Sequence, residues 1–227
     1  MNDPIVFSKE PVLLVGGAFG DNAQLLTLLD EVNTVVAADS GADWLRSVGR
    51  LPDALIGDLD SVSNATRSAM PGHRVHHIAE QDSTDFDKAL RSIDAPLVIA
   101  IGFLGGQVDH LLAAMTVLVR YPDRRVMLVG DEDILTHLPP ALDLPLSRNT
   151  RVSLYPMRDV GGSSQGLHWP IDGLVMSPST RGGTSNRAEG SVSLRMKDYG
   201  MLLILPLSTR AVLQRALLRS DDSWPAL

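Results

Sequence analysis

Residues 54–61 read ALIGDLDS, and this stretch predicts both a buried strand and the groups that the strand presents. The apolar run before Gly57 is typical of the end of a strand in a core, and two carboxylates follow at once. In an extended chain residues i and i+2 point to the same side, so Asp58 and Asp60 would lie side by side. Two such anions repel unless a proton or a cation lies between them, and hard oxygen ligands suit Mg²⁺. The alternative is a solvated turn in which Ser61 caps the next helix.

The bulk composition is that of a globular protein. The chain has 227 residues, 44% hydrophobic and 21% charged, which is enough for two cores. A formal charge of −7 argues against nucleic-acid binding, and the lack of cysteine excludes disulfides and zinc–thiolate sites. The first apolar run is too short for a signal or a membrane span, and no basic region precedes it. We therefore expect a cytoplasmic enzyme that binds neither nucleic acid nor membrane.

The first part of the chain repeats a strand, a turn and an amphipathic helix. The predicted strands, most of them buried and apolar, are Val12–Val15, Val35–Ala38, Ala54–Ile56, the weaker Val75–Ile78, Pro96–Phe103 and Arg125–Val129. The clearest helical pattern runs from Val108 to Val119. Buried strands that alternate with amphipathic helices predict an α/β fold, namely a doubly wound, mostly parallel sheet with helices on both faces.

Acidic residues recur where these strands end. They are Asp39, Asp58, Asp60, Asp82, Asp85 and Asp109. One such residue is usually a helix cap, but several at the carboxyl edge of one sheet indicate a ligand site. Glycine turns at Gly16-Gly17 and Gly105-Gly106 add backbone N–H groups suited to phosphates. Neither turn is a G-x-G-x-x-G or P-loop motif, which disfavours a nicotinamide-binding domain.

The pattern changes near residue 139. Prolines and Asn149 punctuate residues 139–149, which we interpret as a linker. Short strands with a period of two follow, at Thr150–Tyr155, Ser191–Met196 and Met201–Leu205, and residues 209–219 have the pattern of a helix. The prediction is an α/β nucleotide- and metal-binding catalytic domain over 1–138 and a smaller all-β sandwich domain over 150–227.

Five motifs resemble one known family. VVAADSGADWL, PDALIGDLDS, QDSTDFDKAL, GFLGGQVDHLLA and GTSN are similar, in this order, to motifs of thiamine pyrophosphokinases, and the resemblance extends from about Gly16 to Ser193. It implies an ATP-binding α/β domain, a β-sandwich that binds thiamine, and a homodimer with thiamine held between subunits. It also implies Mg²⁺-dependent transfer of pyrophosphate from ATP to the thiamine hydroxyl, which gives thiamine diphosphate and AMP.

The resemblance also implies residue roles. The acidic catalytic cluster is Asp39, Asp58, Asp60 and Asp85, with Asp58, Asp60 and Asp85 as metal ligands. The ATP side is Gly16, Gly17, Ser40, Gly41, Asp82, Thr84, Gly105, Gly106, Asp109 and His110. The thiamine side is Trp169, whose ring would stack on thiamine, with Ser185, Asn186 and Glu189. Separately from the resemblance, the chemistry of the transfer calls for a carboxylate that accepts the proton of the thiamine hydroxyl, and we expect this to be either Asp60 or Asp85.

Three positions differ from the usual family pattern. Gln107 stands where an arginine is usual, Gln81 where a lysine often occurs, and Arg187 where many members carry an acid, for which Glu189 would substitute. Lys88 is expected to be a surface lysine paired with a nearby acid rather than a phosphate contact.

Two other functions fit the same acidic residues. A carboxylate–metal phosphohydrolase acting on a nucleotide would need no ring-binding pocket, so Trp169 would be dispensable. A nucleotide- or thiamine-binding sensor without catalytic activity would fit the three departures. AMP formation that depends on thiamine distinguishes these functions, because a hydrolase forms product without thiamine and a sensor forms none.

Overall fold

The computed structural model describes residues 4–220 and 222–227. The first three residues of the predicted first domain and Asp221 of the second lie outside this range. The chain divides into two compact units. The first unit contains the residues up to Val117 and Leu128–Asp131, and the second contains Leu118–Met127 and Glu132–Leu227.

The first unit alternates strands and helices. Its strands are β1 (Val6–Phe7), β2 (Val12–Val15), β3 (Thr34–Ala38), β4 (Ala54–Gly57), β5 (Val75–His77), β6 (Ile93–Asp94), β7 (Val98–Ile101) and the second half of β8 (Val126–Val129). Its helices are α1 (Asn22–Leu29), α2 (Gly41–Ser47), α3 (Asn64–Ala69), α4 (Asp85–Arg91) and most of α5 (Val108–Arg120). The order predicted from the apolar runs is confirmed.

A parallel sheet forms the centre of this unit. Strands β7, β2, β3, β4 and β5 pair in this order, and every pair is parallel. Every residue of β2, β4 and β7 is buried, as expected for strands covered on both faces. Trp44 of α2, with 2% of its surface exposed, belongs to this core. Strands β1 and β6 form a separate two-residue parallel pair that the sequence pattern did not reveal.

The second unit is largely antiparallel. It contains β9 (Asp133–His137), β10 (Ala141–Leu144), β11 (Arg151–Pro156), β12 (Val160–Leu167), β13 (Val175–Met176), β14 (Thr184–Met196), β15 (Met201–Pro206) and α6 (Arg210–Arg219). Strand β14 pairs with β10, β11 and β12, and β15 pairs with β11 and β9. The predicted helix is present, so this unit does not consist of strands alone.

Two stretches of the second unit differ from the sequence interpretation. Residues 139–149 contain β10, because alternate side chains of this segment are buried and its backbone pairs with β14. Strand β12 (VGGSSQGL) was missed because glycine and serine are depleted in strands. At Gly166 the register shifts, and a side chain there would lie 2.0 Å from the carbonyl oxygen of Ser191. The assignment of a separate role to each predicted domain stays a prediction.

Among the described residues, no helix is both long enough and apolar enough to span a membrane.

Candidate active site

The carboxyl ends of four parallel strands bring the candidate residues of the first unit together. Strands β2, β3, β4 and β7 are followed directly by Gly16, Asp39, Asp58 and Gly102. Because neighbouring strands are parallel and in register, these residues lie at one edge of the sheet. Of the aspartates expected at this edge from the strand endings, Asp39 and Asp58 therefore lie there.

Three carboxylates form a tight cluster at this edge. One oxygen each from Asp39, Asp58 and Asp60 lies within 4.8 Å of the others. The backbone between Asp58 and Asp60 is not extended as predicted, because the buried Leu59 adopts a left-handed conformation with φ 65°. The two carboxylates approach through this turn, and the N–H of Asp60 donates weakly to Asp58 Oδ1 at 3.4 Å. Asp60 is exposed, and its Oδ1 accepts a hydrogen bond from Ser61 Oγ at 2.8 Å.

Asp39 is the buried member of the cluster. Its Oδ2 accepts a hydrogen bond from the backbone N–H of Ser61 at 3.1 Å, whereas its Oδ1 has no hydrogen-bond partner among the described residues. Burial raises the pKa of Asp39, and the nearby charge of Asp85 raises it further, against the opposing effect of the Ser61 hydrogen bonds. A buried oxygen without a partner leaves a place for a proton or a cation.

Lys88 is the buried cation of the site. Its side chain is 1% exposed, and its Nζ donates to Asp58 Oδ2 at 2.9 Å and to Asp85 Oδ1 at 3.4 Å. The prediction of a surface lysine is wrong, because one turn of α4 carries Lys88 inward behind Asp85 rather than to solvent. The only signal in the sequence was its spacing of three residues from Asp85.

The two carboxylates that Lys88 contacts have pKa values shifted in opposite directions. The hydrogen bond from Lys88 lowers the pKa of Asp58. Burial and then the charge of Asp58 raise the pKa of Asp85, although Lys88 opposes this. Burial alone would lower the pKa of Lys88, but the hydrogen bonds and charges of the two carboxylates raise it overall. Asp85 contacts Lys88 and does not belong to the three-carboxylate cluster. The third carboxylate beside Asp58 and Asp60 is Asp39, whereas Asp85 had been predicted as the third metal ligand.

A pocket of about 450 Å³ opens next to these groups. Of the residues predicted to bind ATP, those that line it are Gly17, Ser40, Thr84, Gly105, Gly106 and His110. It is also lined by Asp39, Asp58, Asp85 and Lys88 and by Phe103, which the sequence did not single out. The pocket therefore joins glycine turns, hydroxyl groups and carboxylates in one cavity.

Four residues of the predicted ATP set do not line this pocket. Gly16 and Gly41 lie beneath it, where side chains would come within 2.5 Å of the Gly102 oxygen and 2.0 Å of the Val15 oxygen. Asp82 is exposed, and its backbone N–H donates to Glu80 Oε2 at 2.9 Å. Asp109 is also exposed and accepts a hydrogen bond from the N–H of His110 at 2.9 Å.

Two of the positions that depart from the family pattern lie at this site. Gln81 Nε2 donates to Asp58 Oδ2 at 3.3 Å, so it contacts the same carboxylate oxygen as Lys88. Gln107 lines the pocket beside Gly106. Both amides can hydrogen-bond to phosphate oxygens, but neither supplies positive charge.

The predicted thiamine residues form a separate group within the second unit. Asn186, 3% exposed, holds the backbone of Trp169 at both ends, since Trp169 N–H donates to Asn186 Oδ1 at 3.1 Å and Asn186 Nδ2 donates to the Trp169 oxygen at 2.6 Å. Ser185 faces Ser153 across β14 and β11. Glu189 lies 2.6 Å from His168 Nδ1 and 2.8 Å from an Arg148 nitrogen. The hydrogen bond with His168 lowers the pKa of Glu189.

Comparisons with known proteins agree on one family. The family model described as "Thiamin pyrophosphokinase, catalytic domain" matches residues 25–129. Thiamine pyrophosphokinase 3 of Oryza sativa subsp. japonica is 28% identical over 177 residues, 69% of this chain and 66% of the relative. Thiamine pyrophosphokinase 1 of Arabidopsis thaliana is 33% identical over 100 residues, 39% of this chain and 38% of the relative.

Solved structures extend the similarity in space. Thiamin pyrophosphokinase from Geobacillus thermodenitrificans superimposes with a TM-score of 0.70 at 25% identity, and the match covers 86% of this chain and 96% of that structure. The chain spans about two thirds of the length of the Oryza relative and less of the Arabidopsis one. The chain is therefore similar to thiamin pyrophosphokinases, in sequence over residues 25–129 and in fold over most of its length.

Proposed function

We propose that this protein transfers pyrophosphate from ATP to the hydroxyl of thiamine and releases thiamine diphosphate and AMP. The observation that carries the proposal is the pocket at the carboxyl edge of the parallel sheet, where glycine turns and the carboxylates of Asp39, Asp58 and Asp85 meet. The three carboxylates and the Gly105-Gly106 turn lie within residues 25–129, which match the catalytic-domain model. Backbone N–H groups suit the phosphates of a nucleotide, whereas the carboxylates require positive charge from elsewhere.

The carboxylate cluster suits a divalent cation of the Mg²⁺ type. Asp39, Asp58 and Asp60 supply only hard oxygen donors, and the buried Asp39 Oδ1 has no partner among the described residues. We therefore assign the metal to Asp58 and Asp60, as the sequence predicted, with Asp39 as the third ligand. When Mg²⁺ is bound there, it supplies the charge that neutralises the triphosphate.

The remaining residues have positioning and proton-transfer roles. Gly17, Gly105 and Gly106 bring backbone N–H groups to the phosphates, and the Ser40 and Thr84 hydroxyls line the same cavity. The thiamine oxygen forms a bond to the β-phosphorus while the bond from that phosphorus to the bridging oxygen of AMP breaks. The proton of the hydroxyl passes to Asp85 in this scheme. Its raised pKa, caused first by burial, makes it a better acceptor near neutral pH than an ordinary aspartate.

The second unit supplies the ring-binding residues in this proposal. The exposed Trp169, fixed through its backbone by Asn186, offers a surface for stacking of thiamine, with Ser185 and Glu189 as polar contacts. We also propose, from the family resemblance, a cytoplasmic homodimer with thiamine between subunits. In the finer description of the fold, the first unit is a doubly wound sheet with helices on both faces, and the second is a β-sandwich to which α6 is added. Sedimentation velocity tests the dimer directly.

The decisive experiment measures AMP release from ATP with and without thiamine, in the presence of Mg²⁺. The proposal requires AMP and thiamine diphosphate in equal amounts and only when thiamine is present. AMP or phosphate formed at the same rate without thiamine would instead identify a phosphohydrolase. Binding of ATP with no product under either condition would identify a sensor.

A further inference from the structure

Trp169 is held rigidly while its ring stays accessible. The two hydrogen bonds between its backbone and the buried Asn186 amide fix the residue in place. Even so, 54% of its surface is exposed. Large aromatic side chains are usually buried. One that is fixed through its backbone and yet exposed is typical of a surface on which a flat ligand stacks.

A cation of the protein already lies on this ring. The guanidinium carbon of Arg187 is 5.5 Å from the centre of the Trp169 ring, within the range of a cation–π contact. The Arg187 Nη2 also lies 3.0 Å from His168 Nε2. The His168 ring packs edge-on against the Trp169 ring, with 4.5 Å between the two ring centres. The contact with His168, the residue that precedes Trp169 in the chain, thereby helps to hold Arg187 against the ring.

The nearby carboxylate does not cancel this charge. Arg187 Nε lies 3.8 Å from Glu189 Oε1, but the same carboxylate contacts His168 at 2.6 Å and Arg148 at 2.8 Å. One carboxylate is thus shared by two arginines and a histidine. The surroundings of the exposed ring are consequently positive on balance, and a cation brought to Trp169 meets repulsion as well as the attraction of the ring.

We infer that Arg187 is a specificity-determining residue, which weakens the binding of a cationic ring at Trp169 relative to a neutral ring of the same shape. The inference rests on the proposed function, since it takes Trp169 as the surface on which thiamine stacks. A cationic thiazolium must either displace the guanidinium or bind within its field, whereas a neutral ring avoids the repulsion. An exposed cation–π contact is worth about 0.5–1 kcal/mol, which corresponds to roughly two- to five-fold in affinity.

The kinetic test uses Arg187→Gln and two acceptors, thiamine and its isostere in which carbon replaces the charged ring nitrogen. The expected result is a KM for thiamine about two- to five-fold lower than in the wild type, with the KM for the neutral isostere and the KM for ATP nearly unchanged. Arg148→Gln is the matched control. Like Arg187, Arg148 is a cation paired with Glu189, but among the described residues the cation on the Trp169 ring is Arg187 and not Arg148. An equal change for both acceptors, or a raised KM for thiamine, would overturn the inference.

A second measurement does not depend on turnover. Quenching of tryptophan fluorescence by an N-methylpyridinium cation is compared with quenching by neutral acrylamide, and Trp169→Phe identifies the share due to Trp169. Arg187→Gln should raise the quenching by the cation relative to acrylamide by about two-fold or more, since the repulsive charge is gone. An unchanged ratio would refute the role of Arg187 even if thiamine-dependent AMP release were established. The predicted ratio together with no thiamine-dependent AMP would leave the charge arrangement standing and remove the proposed reaction.

Discussion

At the scale of single residues, the site is defined by one lysine among several carboxylates. Lys88 is 1% exposed and bonds to Asp58 and Asp85, while Asp39 keeps a buried oxygen without a partner among the described residues. A buried charge is tolerated only with partners, so the lysine and its two carboxylates depend on one another. Two residue-scale predictions follow from these contacts.

Replacement of Asp58 by Asn should lower turnover about 100-fold or more, because the change removes a metal ligand and the main partner of Lys88 while it keeps the side-chain volume. Thiamine-dependent AMP release measures the effect, and circular dichroism checks that the fold is retained. Asp30→Asn is the control, since Asp30 is exposed in the same unit and outside the pocket. Activity like that of the wild type at limiting Mg²⁺ would contradict the metal assignment.

Replacement of Lys88 by Met should lower the free energy of unfolding by about 1–3 kcal/mol, because two partly buried carboxylates lose their shared donor. Urea unfolding followed by circular dichroism measures the change. Lys9→Met serves as the control for loss of a lysine, since Lys9 is exposed in the same unit. An equal effect of the two substitutions would show that Lys88 is not needed to balance the carboxylates.

At the scale of elements, the start of α2 packs closely on the end of β2. A side chain at Gly41 would lie 2.0 Å from the carbonyl oxygen of Val15, which is backbone and cannot rotate away. Gly41→Ala should therefore cost about 1–3 kcal/mol of stability or more and weaken ATP binding at the adjoining pocket. Thermal unfolding and ATP titration measure both effects. Gly72→Ala, with no atom within 4 Å of the added carbon, should be close to neutral; comparable losses would refute the packing explanation.

The pairing of β9 with the start of β15 should make stability depend on pH. Burial lowers the pKa of His137 to about 4, and its Nε2 accepts a hydrogen bond from Gly200 N–H at 2.7 Å. In the unfolded chain the ordinary value is 6.5, so the unfolded state takes up the proton first as the pH falls. Stability is then fully present above pH 6.5 and declines by about 3 kcal/mol as the pH falls to 4.

Urea unfolding at several pH values between 7 and 4 measures this decline. His137→Asn removes the titrating group, so its stability should fall less steeply over the same range than that of the wild type. An identical slope in both proteins would assign the pH dependence to other groups.

At the scale of the whole molecule, the chain is anionic and so is its proposed co-substrate. The formal charge is −7, and the candidate site holds four aspartates against the single Lys88. ATP should therefore bind well only together with a divalent cation. At 100 times its Kd, a ligand that binds only the folded state adds about 2.7 kcal/mol to stability.

Thermal unfolding with ATP should show this stabilisation in Mg²⁺ and lose most of it when EDTA replaces Mg²⁺. Asp58→Asn should show little stabilisation in either condition, whereas Asp30→Asn should behave as the wild type. The same ATP-dependent shift in EDTA and in Mg²⁺ would show that the acidic cluster does not couple a metal to the nucleotide.

The order of elements in the first unit, and the sheet edge at which Asp39 and Asp58 lie, follow from the amino-acid sequence alone. Long apolar strands and strand-ending aspartates are local signals, and parallel pairing converts them into a shared edge without further information. The order of the motifs likewise predicted the similarity to thiamin pyrophosphokinases. Strand β12 was not predictable in this way because it is rich in glycine and serine, and β10 was not because prolines flank it. Both strands form by pairing with the distant β14.

Which side chains contact one another at the site depends instead on how the folded chain packs. The turn at Leu59 joins Asp39 rather than Asp85 to Asp58 and Asp60, and the burial of Lys88 depends on how α4 packs against β3 and β4. The contact of Arg187 with Trp169 likewise requires two strands to pair. Residue type and spacing limit what a side chain can do, but its distance to residues far away in the chain is fixed only when the core has packed.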